Sequence, residues 1–170
     1  MNVLATLDVG TSVIVLRRAR PGDVPAIVGL LAADQLGAAR DGVRTDADMQ
    51  AYQRAFAEID RDPAHVLVVA EAESRVVATM QLSFLPGLAR RGARRGALRA
   101  QVEAVRVDQA YRSCGVGHAM LAWAISEARQ RGCALIQLTT DKARTDANRF
   151  YERLGFVASH EGMKLILDRE

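Results

Sequence analysis

The sequence predicts an α/β protein with a mixed central sheet of about seven strands flanked by four helices, in the order β-α-α-β-β-β-α-β-α-β-β. Three observations lead there. Two β-branched-rich runs, "HVLVVAEAE" and "RVVATMQLSFLP", meet at "ESR", which is a hairpin signal. Residues 101–140 read strand, Gly-rich turn, helix, strand, a unit that closes as a right-handed crossover between parallel strands. The remaining apolar stripes recur at helical spacing and begin at recognisable caps.

In chain order, "SVIVLRRA" is the first strand, and residues 1–12 ahead of it read as a flexible or peripheral extension. Asp23 is placed to cap the first helix, "RPGDVPAIVGLLAADQL", with Pro25 tolerated in its first turn. Thr45 and Asp48 form a capping-box pair before "MQAYQRAFAEID", whose stripe is Tyr52, Phe56 and Ile59. The hairpin follows, then a Gly/Arg loop, "GLARRGARRGAL", and a further strand, "RAQVEAVRVD". "YRSCGVGHAM" opens a long helix that stops at Gly132, with Arg129 and Arg131 at the negative end of its dipole. "ALIQLTTD" is a buried strand and "TDANRFYERL" a helix stopped by Gly155. "GFVAS" and "MKLIL" read as short closing strands. Nothing in the pattern marks a linker or a repeat, so residues 1–170 are expected to form a single domain.

Composition narrows the function classes. Apolar residues at 49% and charged residues at 25% are ordinary for a globular chain, and the net charge of +3 is mild. Only Lys142 and Lys164 are lysine; the other basic residues are Arg. Cys114 and Cys133 give neither a disulfide framework nor zinc-ligand spacing, and His65, His118 and His160 are scattered, so no metal is expected. "MNVLATLDVG" lacks the basic and apolar regions of a signal peptide, and no apolar run nears the roughly 20 residues that span a bilayer. A soluble, cytoplasmic protein without a membrane partner is expected.

The glycines of "YRSCGVGHAM" have two readings. As a structural turn, Gly115 and Gly117 start the helix, and Gly117 joins Met120, Leu121, Ala124, Ile125 and Ala128 on the sheet-facing side. As a binding turn, they expose unpaired N–H groups at the positive end of a helix, where a pyrophosphate would sit. No third Gly and no Gly-Lys-Ser/Thr follows, so neither a nicotinamide fingerprint nor a nucleotide P-loop is present. The preceding strand carries Val102 and Ala104 on one face and Val105 and Val107 on the other. That slip at Ala104–Val105 is what a β-bulge produces; a strand buried on both faces would look the same.

Together, "VRVDQAYRSCGVGHAML" and "ANRFYERLGF" resemble the GNAT N-acetyltransferase superfamily. Arg112, Gly115 and Gly117 fill its Arg/Gln-x-x-Gly-x-Gly/Ala turn, and Phe150, Tyr151, Leu154, Gly155 and Phe156 fill its Phe-Tyr-x-x-Leu-Gly-Phe helix end. The element order matches over essentially the whole chain. The resemblance implies the acyl-CoA N-acyltransferase fold and transfer of acetyl from acetyl-CoA to a primary amine by direct attack in a ternary complex. It implies that the backbone of Arg112, Ser113, Cys114, Gly115, Val116, Gly117 and His118 holds the CoA pyrophosphate. Val105, Arg106 and Val107 would then pair with the pantetheine arm. Tyr151 is implied as general acid; on spacing alone it is a core aromatic beside Ala147, Phe150 and Leu154. Glu103, on the strand beside the thioester, is the candidate base, or a polar residue of the substrate pocket. The family often has Asn seven residues before the Tyr; here that position is Arg144, read either as a CoA phosphate contact or as a surface residue. Cys114 is poorly placed for a nucleophile, His118 reads as a solvated flank, and Cys133 as a small buried apolar residue.

Arg90, Arg91, Arg94, Arg95 and Arg99 crowd one loop. A solvated loop, recognition of an acidic substrate, a nucleic-acid contact and a subunit contact all fit, the last admitting a homodimer. Asp46 or Asp48 could attract a cationic amine. The acceptor is expected to be a small-molecule amine, with a protein amine ranked second. A non-catalytic module that senses acyl-CoA or grips nucleic acid on the same fold is the alternative.

Overall fold

A computed structural model of the chain describes residues 3–9, 12–33, 35–38, 41–89 and 95–167. The elements run β1 (Val3–Val9), β2 (Ser12–Arg18), α1 (Val24–Ala32), α2 (Gln35–Ala38), α3 (Asp46–Arg61), β3 (His65–Ala72), β4 (Arg75–Leu85), β5 (Arg99–Val107), α4 (Val116–Gln130), β6 (Leu135–Leu138) and α5 (Thr145–Arg153). The strands form one six-stranded sheet in sequence order. All neighbours are antiparallel except β5 and β6, which are parallel across the α4 crossover. This is the mixed α/β architecture expected, with three local differences. β1 forms from the segment read as a peripheral extension and lies at the sheet edge, paired with β2. Its run is short and irregularly alternating, so only pairing across a tight hairpin makes it a strand. The closing strands expected at 155–159 and 163–167 do not form; Val157, Met163, Leu165, Ile166 and Leu167 are exposed. Apolar composition made both segments look like strands, but a strand exists only by pairing, and neither finds a ladder partner. The sheet therefore has six strands among the described residues, not seven.

The two sheet faces differ. One buries Ile14, Leu16, Val66, Val68, Met80, Leu82, Ala100 and Val102 against Val116, Met120, Leu121, Ala124 and Ala128 of α4. Apart from Val116, these α4 positions are the ones helical spacing selects. The other face receives α1 and α3 over Leu67, Val69 and Val76, with Phe56 and Ile27 in the contact. The β3–β4 hairpin turns at Glu73 and Ser74, both at positive φ (49° and 63°), as a two-residue primed turn demands.

Two acidic residues have local duties. Asp48 completes the capping box: its Oδ2 accepts from the N–H of Arg44 (2.9 Å) and Thr45 (2.8 Å), while Thr45 accepts from Asp48 N–H. Those hydrogen bonds hold its carboxyl below the usual range, and they engage the group proposed above to attract an amine. Asp23 precedes α1 but does not cap it with its side chain. Its carboxylate accepts from Arg20 N–H (2.7 Å) and from the buried Arg17 guanidinium (2.7 and 3.0 Å), which also donates to Glu71 (2.6 Å). Burial alone would raise the Asp23 pKa; the bonds from Arg17 and Arg20, with their charges, outweigh it and hold the group low.

Candidate active site

The site begins where β5 changes character. From Arg99 to Val102 the strand has a partner on both sides, β4 and β6. After Val102 and Leu138 the parallel pair parts, and Glu103–Val107 pair with β4 alone. At the parting the β4–β5 register slips: Gln81 faces Glu103, yet Thr79 faces Arg106, so Ala104 and Val105 together oppose Met80. Ala104 sits at φ 54°, a left-handed conformation that costs a non-Gly residue about 1 kcal/mol or more. Of the two readings of the slipped alternation, the bulge is the one present, at the residues that showed it. Beyond it, Val105 and Val107 pack on the core. The Val105 carbonyl accepts from Arg106 Nη1 (2.9 Å) and the Val107 carbonyl from Arg112 Nε (3.2 Å), so arginine side chains occupy backbone acceptors that no strand takes.

A turn connects β5 to α4. Ser113 (φ 62°) and Gly115 (φ 88°) are both left-handed, and Gly115 is the α4 N-cap. A Cβ on Gly115 would meet nothing within 4 Å, so its surroundings are open. Together with the unpaired N–H groups of the first helical turn, these alternating conformations form a concave donor surface suited to an anion. Gly117 does different work. A Cβ there would stand 3.4 Å from Phe150 Cζ and 3.7 Å from Val107 Cγ2, ordinary contact distances, so α5 and β5 flank this position closely and leave little room for a longer side chain. Cys114 and His118 are exposed, and Cys114 Sγ lies 3.5 Å from the Arg112 carbonyl, within its own turn. Cys133 is half-buried against the core and its thiol is pushed up by burial.

Tyr151 projects from α5 with Phe150 and Phe156 packed around its ring, at centroid separations of 5.2 and 5.9 Å. Burial pushes its phenol above the ordinary value, and the charges of Arg106 and Arg144 pull only partly back. The phenol therefore keeps its proton across the neutral range. Arg144, at the α5 N-cap, and Arg106 on β5 are brought within electrostatic reach of one tyrosine. Glu103 is exposed on the near flank of the bulge, and among the described residues its carboxylate makes no hydrogen bond or ion pair. Arg90, Arg91 and Arg94 fall outside the described residues; Arg95 is exposed and Arg99 is half-buried at the start of β5.

A cavity of about 620 Å³ lies elsewhere, between α1, the β3–β4 turn and the residues after β5, with Asp23, Arg75, Asp108 and Arg112 in its wall. Glu103, Tyr151 and residues 113–117 of the glycine turn do not line it; of the turn only Arg112 reaches its wall, so its size does not by itself mark the chemistry. Missing from the sequence reading is a polar row on the face opposite α4: Ser83, Gln101 and Gln137 stand side by side on β4, β5 and β6. Alternation of Ala100 and Val102 with Gln101 and Glu103 was the available signal. Among the described residues no cluster could hold a metal ion, and no helix is long and apolar enough to cross a membrane.

A sheet whose parallel pair parts at a bulge, beside an open glycine turn at a helix start, defines an acyltransferase architecture. The Acetyltransferase (GNAT) family pattern matches residues 33–156. The chain belongs to this GNAT family. It is 44% identical to a solved protein from Bacillus halodurans described as a transcriptional regulator, over 91% of this chain and 99% of that one, with a TM-score of 0.83. Glucosamine-6-phosphate N-acetyltransferase from Arabidopsis thaliana shares the fold, with a TM-score of 0.72 at 23% identity over 91% of this chain and 99% of that one. A shorter match, 51% identical over 45 residues, is to aminoalkylphosphonate N-acetyltransferase of Salmonella typhimurium; it spans 26% of this chain and 29% of that protein.

Proposed function

We propose that this chain is an acetyl-CoA-dependent N-acetyltransferase acting on a small primary amine, a single-domain soluble enzyme of the cytoplasm. The observation that carries the reading is the bulge at Ala104, set where β5 parts from β6 and followed directly by the open turn at Ser113–Gly117. Acetyl-CoA supplies an activated acyl thioester. The N–H groups of Arg112 through His118 would hold its pyrophosphate, and the unpaired edge of Val105, Arg106 and Val107 would hold the extended arm. Bulging turns a backbone N–H out of the ladder toward the parting, where a donor can polarise a carbonyl; one such donor contributes about 3 kcal/mol in other acyl-transfer enzymes.

Glu103 stands on that flank with an uncommitted carboxylate, suited to take a proton from the acceptor's ammonium directly or through water. Tyr151 Oη keeps a proton to give to the departing sulfur, because burial holds it neutral beyond the normal phenol range. Arg106 and Arg144 place positive charge beside that proton donor.

The test is thiol release from acetyl-CoA across amino acids, aminoalkylphosphonates, amino sugars, polyamines and peptides. Tyr151→Phe is expected to lower kcat about 100-fold while acetyl-CoA still raises Tm as in the wild type. In the wild type the fall of kcat at high pH should lie above the ordinary phenol range. Unchanged turnover in the variant would remove Tyr151 as the acid. A second reading, a nucleic-acid-binding module, is favoured by the relative described as a transcriptional regulator. It requires salt-steep binding to DNA or RNA and no thiol release with any amine.

A further inference from the structure

We infer, building on the acetyltransferase reading, that the acceptor is a zwitterion whose amine meets Glu103 and whose oxyanion meets Arg99. The argument is one of register. Arg99, Gln101 and Glu103 alternate along the regular half of β5, so all three share a face, and it is the face opposite α4. Their neighbours in the ladder, Leu85, Ser83 and Gln81 on β4 and Leu135 and Gln137 on β6, share that face too. Along the regular half of β5 this patch carries Glu103 and Arg99 with only neutral groups between them; Arg106 shares the face but lies beyond the bulge, on the other side of Glu103. At about 3.3 Å per residue the α-carbons of Glu103 and Arg99 lie about 13 Å apart, with Gln101 midway.

Each end lacks an internal match. Among the described residues the Glu103 carboxylate has no partner, and Arg99 Nε is shut off from solvent without a hydrogen-bond acceptor. An enclosed guanidinium N–H without an acceptor is costly, so the side chain gains by shifting out to meet a bound carboxylate, phosphonate or phosphate oxygen. The middle of the patch points the same way. Gln137 Nε2 donates to Gln101 Oε1 at 2.7 Å, which takes up the Gln101 oxygen and leaves its amide hydrogens for a guest acceptor atom. On β3 and β4, His65 Nδ1 and Ser83 Oγ are joined at 2.8 Å, so that pair is already satisfied. A polyamine would set a second cation against Arg99, and a plain alkylamine would leave Arg99 unmatched. A short amino acid, with its oxyanion as phosphonate or carboxylate, meets both ends.

Calorimetric binding of 2-aminoethylphosphonate, β-alanine and propylamine tests this without requiring turnover. The wild type is expected to bind at least one of the two zwitterions about 10- to 100-fold more tightly than propylamine. Arg99→Met should erase that difference, and Arg99→Lys should restore part of it, which a purely structural role for Arg99 would not do. Equal affinity for propylamine and both zwitterions in the wild type, or a preference that survives Arg99→Met, would overturn the assignment. Stabilisation by acetyl-CoA, measured separately on the same variants, is expected to stay unchanged. Its absence from the wild type would count against the acetyltransferase reading alone.

Discussion

The two sides of the sheet are built to different standards. In the antiparallel half, Val66, Val68, Met80 and Leu82 of β3 and β4 are at most 1% exposed. In the other half, every residue of β6 is only half-buried and α5 has no fully buried residue. The boundary runs through β5 itself, which is paired on both sides to Val102 and on one side after it. Stability is therefore concentrated away from the proposed ligand site. The groups proposed for the chemistry, Glu103, the Ala104 bulge, the glycine turn and Tyr151, stand on the less buried side of that boundary.

The contrast can be broken from either side. The largest effect is expected at Gly117→Glu, which brings a carboxylate to the helix start proposed to hold the pyrophosphate and a side chain against Phe150. Acetyl-CoA affinity should fall at least about 100-fold, so that saturating ligand no longer raises Tm. A Tm increment equal to that of the wild type would refute the placement of the turn. Leu82→Ala, in the antiparallel half, should cost about 3 kcal/mol in denaturant unfolding, because it empties a fully enclosed site. Leu138→Ala on half-buried β6 should cost about 1 kcal/mol. Equal costs would dissolve the distinction between the halves.

Arg17→Leu comes next, at about 3 kcal/mol near neutral pH, since it leaves Asp23 enclosed without its counter-charge. The same clamp predicts an acid limb. Asp23 titrates lower folded than unfolded, so its contribution is complete above the unfolded carboxylate value of about 4 and fades as pH falls below it. Urea unfolding at pH 6 and pH 3 should show wild type losing more stability than Arg17→Leu. The smallest effect sharpens the boundary itself. Ala104→Gly relieves a left-handed Ala but frees the unfolded chain, for a net gain of about 0.5 kcal/mol. A loss in Tm would show that the bulge carries no strain.

Much of this was legible in the chain. Caps and stripes located α3 and α4 because Thr45, Asp48 and the Met120–Ala128 face act locally, through hydrogen bonds and periodicity that neighbours in sequence supply. The bulge was visible as a one-residue slip for the same reason. The terminal segments were misread because edge pairing is a tertiary decision: β1 gains a partner in β2, while 163–167, more apolar, gains none. The face holding Arg99, Gln101 and Gln137 was also missed. Its coherence comes from register between strands about 35 residues apart in sequence, and no window along the chain spans that distance.

The parted edge after Val102 has a consequence for how such proteins diverge. A guest that docks there would grip amides and carbonyls, which every amino acid provides, so the side chains of that stretch can drift under little constraint. Ancestry would then persist in a few bare or left-handed positions while the surrounding letters are rewritten, and descendants with new acceptors could keep one common way of holding their donor.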